Sequence, residues 1–139
     1  MDIEKRIVVI EDEPILIKAL NIELQSQGFE VLSATDGESG LELVKNSSPS
    51  LVLLDILMPK MGGLDVLKAI KVDQNTRDIP VVMFTNLDQE EEKERAMQAG
   101  ADGYYVKSEV DIGDLGKIIE THINKTGDND KKVGAFLSQ

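Results

Sequence analysis

Short β-branched runs alternate with longer segments of helical period along this chain, and that alternation narrows its possible folds more than any other feature. Ile7-Val8-Val9-Ile10 is apolar at four consecutive positions, the pattern of a strand covered on both faces. Leu51-Val52-Leu53-Leu54 and Val81-Val82-Met83-Phe84 repeat it, the latter opened by Pro80. Residues 30–35 and 102–106 read as two further strands. Between them lie five helical segments. Pro14 opens the first, Leu16, Leu20 and Leu24 recur along it, and Gly28 stops it. The others fall near residues 38–46, 64–70, 88–98 and 111–124, the fourth with acids crowded in its first turns, where the helix dipole favours them. Strict strand–helix alternation implies a parallel sheet with helices on both faces and right-handed crossovers, a doubly wound five-stranded α/β fold with five helices. The 139 residues fit one domain, and 41% hydrophobic content suffices for a core; with aromatics at 4%, that core is built from Val, Ile, Leu, Ala and Met.

Charge and rare residues exclude several chemistries. A net charge of −11 argues against nucleic acid and against anionic membrane surfaces as direct partners. With no cysteine, disulfides and thiol chemistry are out, and the single His122 cannot build a histidine-rich metal site. No apolar run approaches a membrane span, and the first six residues lack a signal-peptide core, so a soluble cytoplasmic protein is the default expectation. Residues 125–139 read as a polar tail; Val133, Ala135, Phe136 and Leu137 near its end are a frayed terminus or a short docking segment.

Ligands of open α/β sheets bind outside the carboxyl ends of the strands. There the chain places Glu11 and Asp12 after the first strand, Asp55 after the third, Thr85 at the end of the fourth and Lys107 after the fifth. Two like charges about 4 Å apart repel by about 4 kcal/mol at an effective dielectric of 20, so three acids around one pocket require protonation or cations. Lys107 supplies one positive charge, and a hard divalent ion such as Mg²⁺ matches carboxylates, a backbone carbonyl and retained waters. Such a site recruits phosphate: Lys107 and the Thr85 hydroxyl are donors for phosphoryl oxygens, and Asp55, at the centre of the sheet, is the carboxylate placed to attack.

This set, with Ile10-Glu11-Asp12-Glu13-Pro14, Leu54-Asp55-Ile56-Leu57-Met58-Pro59, Gly62-Gly63-Leu64-Asp65 and Gly100-Ala101-Asp102-Gly103-Tyr104, resembles the receiver domain of two-component response regulators over about residues 5 to 124. The resemblance implies a flavodoxin-like sheet in the order 2-1-3-4-5, as in stand-alone chemotaxis regulators. It implies Asp55 as phosphoacceptor. Asp12 and Asp55 would ligate Mg²⁺ with the carbonyl of Leu57, and Glu11 would act mainly through water. It gives Lys107 a pairing role, first with the acceptor and then with the phosphoryl group. Thr85 and Tyr104 become the switch pair. The donor would be a phosphohistidine on a sensor histidine kinase or phosphotransfer protein. The chain would then be a signalling protein rather than an enzyme, with no effector domain and an unknown output protein bound through the fourth helix, fifth strand and fifth helix; phosphorylation-dependent dimerisation stays open.

Lys107 is followed by Ser108 where most receivers carry proline, so a cis bond is not expected and the next loop is open to reshaping. Leu57 and Leu87 stand two residues after Asp55 and Thr85, where polar side chains would orient water, so slow loss of phosphate is expected. A Mg²⁺-dependent phosphohydrolase would carry a second Asp at position 57, and a flavin carrier would need a Ser/Thr/Gly-rich loop where Glu11-Asp12-Glu13 stands. Glu13, Asp36, Asp65 and the Glu90-Glu91-Glu92 run read as turn or solvated acids. His122, on a stripe with Leu115 and Ile119, reads as a packing residue. Tyr104 and Tyr105 must point to opposite faces of their strand.

Overall fold

The computed structural model describes residues 5–137, with side chains over residues 5–125. The elements follow as β1 (Arg6–Ile10), α1 (Pro14–Ser26), β2 (Glu30–Ala34), α2 (Gly37–Ser47), β3 (Leu51–Leu54), α3 (Gly63–Val72), β4 (Val81–Thr85), α4 (Glu90–Gln98), β5 (Gly103–Val106) and α5 (Ile112–Leu137), with a 3-10 turn at Lys107–Glu109. The five strands are parallel, in the order β2-β1-β3-β4-β5.

Alternation along each strand divides the core in two. Val8, Ile10, Val52, Leu54, Val81 and Met83 face α2, α3 and α4 through Val44, Val66, Leu67, Ile70 and Ala96. Ile7, Val9, Leu51, Leu53, Val82 and Phe84 face α1 and α5 through Leu20, Leu24, Leu115 and Ile119. Both faces of the central strands are thus dry, which is why these strands read as unbroken apolar runs. β2, at the edge, is only partly covered. Gly28 and Gly100 follow α1 and α4 with φ of 95° and 106°, a left-handed conformation that glycine adopts without a Cβ penalty.

Two features depart from the sequence expectation. The backbone of α5 stays helical to Leu137 instead of ending near Asn124. No proline interrupts 125–137, and a glycine such as Gly127 costs a helix only about 1 kcal/mol; the apolar patch from Val133 to Leu137 lies outside the described side chains. Asp36 does more than turn the chain. Its Oδ1 accepts from Ser39 N at 2.7 Å and caps α2, which holds its carboxyl below the usual range.

Candidate functional site: an acidic cleft at the carboxyl edge of the sheet

Strand register brings the polar residues together. Ile10 pairs with Leu54, so Glu11 and Asp55 leave the sheet side by side, and Asp55 N still donates to Ile10 O at 3.1 Å. Thr85 pairs with Val106, the residue before Lys107. Glu11 and Asp55 are buried at 2% and 6% exposure, Thr85 is fully buried and Asp12 is exposed.

Lys107 is the hub. Its Nζ lies 2.8 Å from Asp55 Oδ2 and 2.7 Å from Glu11 Oε1, with Glu13 Oε1 more distant at 3.9 Å. Carboxylate oxygens of Glu11, Asp12 and Asp55 all lie within 4.8 Å of one another. Burial pushes the Glu11 carboxyl up; the Lys107 hydrogen bond opposes it and the Asp55 charge reinforces it. Burial alone would lower the Lys107 ammonium, but its bonds to Asp55 and Glu11 outweigh that and hold it above its ordinary value. One ammonium does not neutralise three carboxylates. The oxygen-only donor set, open to solvent at Asp12, has the chemistry of a site for a hard dication.

The loop after Asp55 is fixed from two sides. Leu57 N donates to Asp55 Oδ1 at 3.3 Å, while the Leu57 side chain is 60% exposed. Gly63 N donates to Ile56 O at 2.8 Å, and a Cβ on Gly63 would come within 2.0 Å of Asp55 O. A Cβ on Gly37 would likewise strike Met61 O. Only glycine lets α2 and α3 approach this loop so closely.

Thr85 and Tyr104 meet at the backbone of one residue, Leu87, through the two peptide units that flank its Cα. Leu87 N donates to Thr85 Oγ1 at 3.4 Å, and the Tyr104 hydroxyl donates to Leu87 O at 2.7 Å. Burial raises the Tyr104 phenol, with Glu92, Asp55 and Asp88 adding to it. The Lys107–Ser108 bond is trans, and the chain leaves the cleft through the single 3-10 turn.

Glu11, Asp12, Asp55 and Lys107 therefore share one cleft, and Thr85 and Tyr104 meet beside it. Sequence reasoning did not foresee the Lys107–Glu11 ion pair, which engages Glu11 directly, or the linking role of the Leu87 backbone. The two close-approach glycines were readable as a loop signal only. Glu13 and Asp65 are exposed, as solvated helix-start acids should be. His122 is buried at 8%; its ring stands edge-on to Tyr105, and its Nε2 lies 2.7 Å from the Tyr105 hydroxyl. That is a packing residue, with Tyr105 on the face opposite Tyr104.

A family model described as the response regulator receiver domain matches residues 7–120. The DNA-binding dual master transcriptional regulator RpaA of Synechocystis is 37% identical over 102 residues, 73% of this chain and 42% of that protein. The alkaline phosphatase synthesis transcriptional regulatory protein PhoP of Bacillus subtilis is 34% identical over 103 residues, 74% of this chain and 42% of that protein. The chain thus spans less than half the length of these curated relatives. Among solved structures, a CheY-like receiver domain protein from Methanospirillum hungatei superposes with a TM-score of 0.84 at 26% identity, covering 91% of this chain and 99% of that one. The receiver domain of the Pseudomonas aeruginosa sensor histidine kinase PA1611, with a magnesium ion coordinated in its active site cleft, shares the fold at a TM-score of 0.80 and 23% identity, covering 88% and 99%.

These relatives correct one expectation. Net charge argued against any nucleic-acid partner, yet RpaA is named as DNA-binding and PhoP as a transcriptional regulator. The charge of a receiver portion does not report what a longer relative contacts through its other segments. As to membranes, no helix among the described residues is long and apolar enough to cross one. The buried strands, their order, the acidic cleft and the family match together assign this chain to the receiver domains of two-component response regulators.

Proposed function

We propose that this chain is a phosphorylation switch that accepts a phosphoryl group on Asp55 from a phosphohistidine of a sensor kinase or phosphotransfer protein. The observation that carries it is the placing of one buried carboxylate between an ammonium at 2.8 Å and two further acids. An Asp55 oxygen attacks phosphorus, the P–N bond breaks, and the imidazole leaves. Lys107, already on Asp55 Oδ2, follows the charge onto a phosphoryl oxygen. The Thr85 hydroxyl donates to a second oxygen.

Asp12, Asp55 and the Leu57 carbonyl would hold Mg²⁺ directly and Glu11 through water. The ion supplies charge neutralisation for the phosphoryl oxygens. When Thr85 turns toward the phosphoryl group, the Leu87 N–H loses its acceptor. The Leu87 carbonyl that anchors Tyr104 is then free to shift, and Tyr104 carries the change to the face formed by α4, β5 and α5. Leu57 and Leu87 cannot orient water, so the phosphorylated state is long-lived. Binding of an output partner in the cytoplasm, and dimerisation, are the outcomes this face would control.

The test is intact-mass analysis after incubation with acetyl phosphate and Mg²⁺. One added phosphoryl group is expected, absent in Asp55→Ala. No mass gain, or the same gain in Asp55→Ala, refutes the reading.

A further inference from the structure

A groove of about 260 Å³ runs between α3 and α4, lined by Leu64 and Lys68 on one side and by Arg95, Gln98 and Ala99 on the other. Half-buried Leu64 and Ala99 make its apolar part, and Lys68, Arg95 and Gln98 are exposed. Lys68 forms no ion pair among the described residues, and Arg95 has only a 3.6 Å contact with Glu92 one turn away. On a chain of net charge −11, a groove whose charged lining residues are both cations is a local reversal of sign. Val72 extends the α3 wall. Residues 64, 68 and 72 are four apart on one face of the helix, and Val72 is 82% exposed and belongs to neither half of the core. The α3 wall is held at both ends. Gly63 N bonds Ile56 O at its start, and near its end Lys71 Nζ bonds the carbonyls of Arg77 and Ile79 and the Asp102 carboxylate. Lys71 Cγ also lies 3.0 Å from where a Cβ on Gly100 would stand, just past α4, so α3 and α4 are packed together there. A groove fixed in this way loses little ordering entropy on binding.

We propose that the α3–α4 groove docks an acidic, extended segment of a partner protein, with carboxylates against Lys68 and Arg95 and aliphatic side chains on Leu64 and Val72. Leu64 and Val72 stand about 12 Å apart along α3. An extended chain covers that distance in about four residues, and residues four apart on it point the same way, so the segment carries aliphatic residues at i and i+4 with acids between them. The groove lies on the α3 side of α4, away from β5, and its occupation does not depend on phosphoryl uptake. A second copy of the chain fits less well, because a two-fold contact sets a patch against itself and would bring Lys68 and Arg95 against their own copies.

The probe is a fluorescein-labelled peptide with leucines four residues apart and glutamates between them. It is compared with its lysine counterpart by anisotropy at physiological salt and by amide-shift mapping. At that salt the screening length is about 8 Å, so the acids of α1 and α5, on the opposite face of the sheet, act little on a peptide in the groove. Lys68→Glu/Arg95→Glu is compared with Lys18→Glu/Lys117→Glu on α1 and α5. All four residues are exposed, and each pair makes the same charge change. The groove pair should weaken glutamate-peptide binding by about tenfold, and the distant pair by no more than about twofold. Val72→Ser, which changes no charge and alters a residue already in solvent, should weaken it by about fivefold. Shifts should map to Leu64, Lys68, Gln98 and Ala99. Absence of binding, preference for the lysine peptide, equal weakening by both pairs, unchanged affinity in Val72→Ser, or self-association abolished by Lys68→Glu/Arg95→Glu overturns the proposal. The titration uses unphosphorylated protein and scores no phosphoryl uptake, so its failure leaves the acceptor reading standing.

Discussion

Removing one negative charge from the cleft should make the metal-free protein more stable, and Asp12→Asn is the substitution that isolates this. Asp12, Glu11 and Asp55 present oxygens within 4.8 Å of one another. Two unit charges that far apart repel by about 3.5 kcal/mol at an effective dielectric of 20. Asp12 is exposed, so water screens much of this, and Lys107 already offsets part of the charge on its two neighbours. About 1–2 kcal/mol of relief remains. Asn is close in volume, so little packing changes. Urea unfolding in EDTA, analysed as a two-state transition for a chain of this size, should show Asp12→Asn more stable by that amount. Magnesium reverses the order: a ligand at a hundred times its Kd stabilises the native state by about 2.7 kcal/mol, and the variant lacks a carboxylate ligand to benefit from it. If Asp12→Asn is no more stable in EDTA, the clustered charges do not repel as the geometry requires. If both proteins gain equally from magnesium, Asp12 is not a ligand.

Three further outcomes follow from other parts of the molecule. Gly63→Ala places a Cβ within 2.0 Å of Asp55 O and should cost about 3 kcal/mol in urea unfolding, whereas the nearest atom to a Cβ on Gly62 is 3.9 Å away and Gly62→Ala should stay within about 1 kcal/mol; similar values for the two would reject the close-approach account. Burial holds the folded His122 imidazole below its ordinary value of 6.5, so the unfolded chain binds the proton more readily and stability falls as pH drops below about 6.5 toward the folded value. Relative to His122→Phe, the wild-type advantage should shrink over that window and stay flat above it; a constant difference refutes the assignment. Leu57→Asn should shorten the phosphorylated lifetime by about an order of magnitude, short of the roughly hundredfold of a fully positioned base, and a wild-type half-life of seconds in Mg²⁺ buffer would contradict the role given to Leu57.

Much of this was readable from the chain because burial on both sheet faces writes itself into consecutive residues. Ile7 to Ile10, Leu51 to Leu54 and Val81 to Phe84 announce β1, β3 and β4, and the polar residue that ends each run falls at the same edge. β2 and β5 were less distinct because edge strands are covered less completely. What the sequence did not disclose is long-range pairing. Lys71 Nζ bonds the carbonyls of Arg77 and Ile79 and the Asp102 carboxylate, tying α3 to the start of β5. Nothing local to Lys71 signals this, just as nothing near Lys107 signals its bond to Glu11. The placing of His122 on the inner stripe of α5 was legible from period, while its hydrogen bond with Tyr105 depends on how α5 crosses the sheet. The helical backbone beyond Asn124 was missed because a polar, glycine-containing run reads as a stop, although no residue in it forbids helix.

The central claim is that ammonium and dication together neutralise the cleft and leave the Asp55 carboxylate as the one oxygen donor that attacks phosphorus. Borohydride reduction of acetyl phosphate-treated protein, followed by tandem mass spectrometry, locates the acyl phosphate directly. Reduction confined to residue 55, and abolished by EDTA, is the predicted result. Reduction at Glu11, Asp12 or any acid outside the cleft, or equal labelling without a divalent cation, would contradict it.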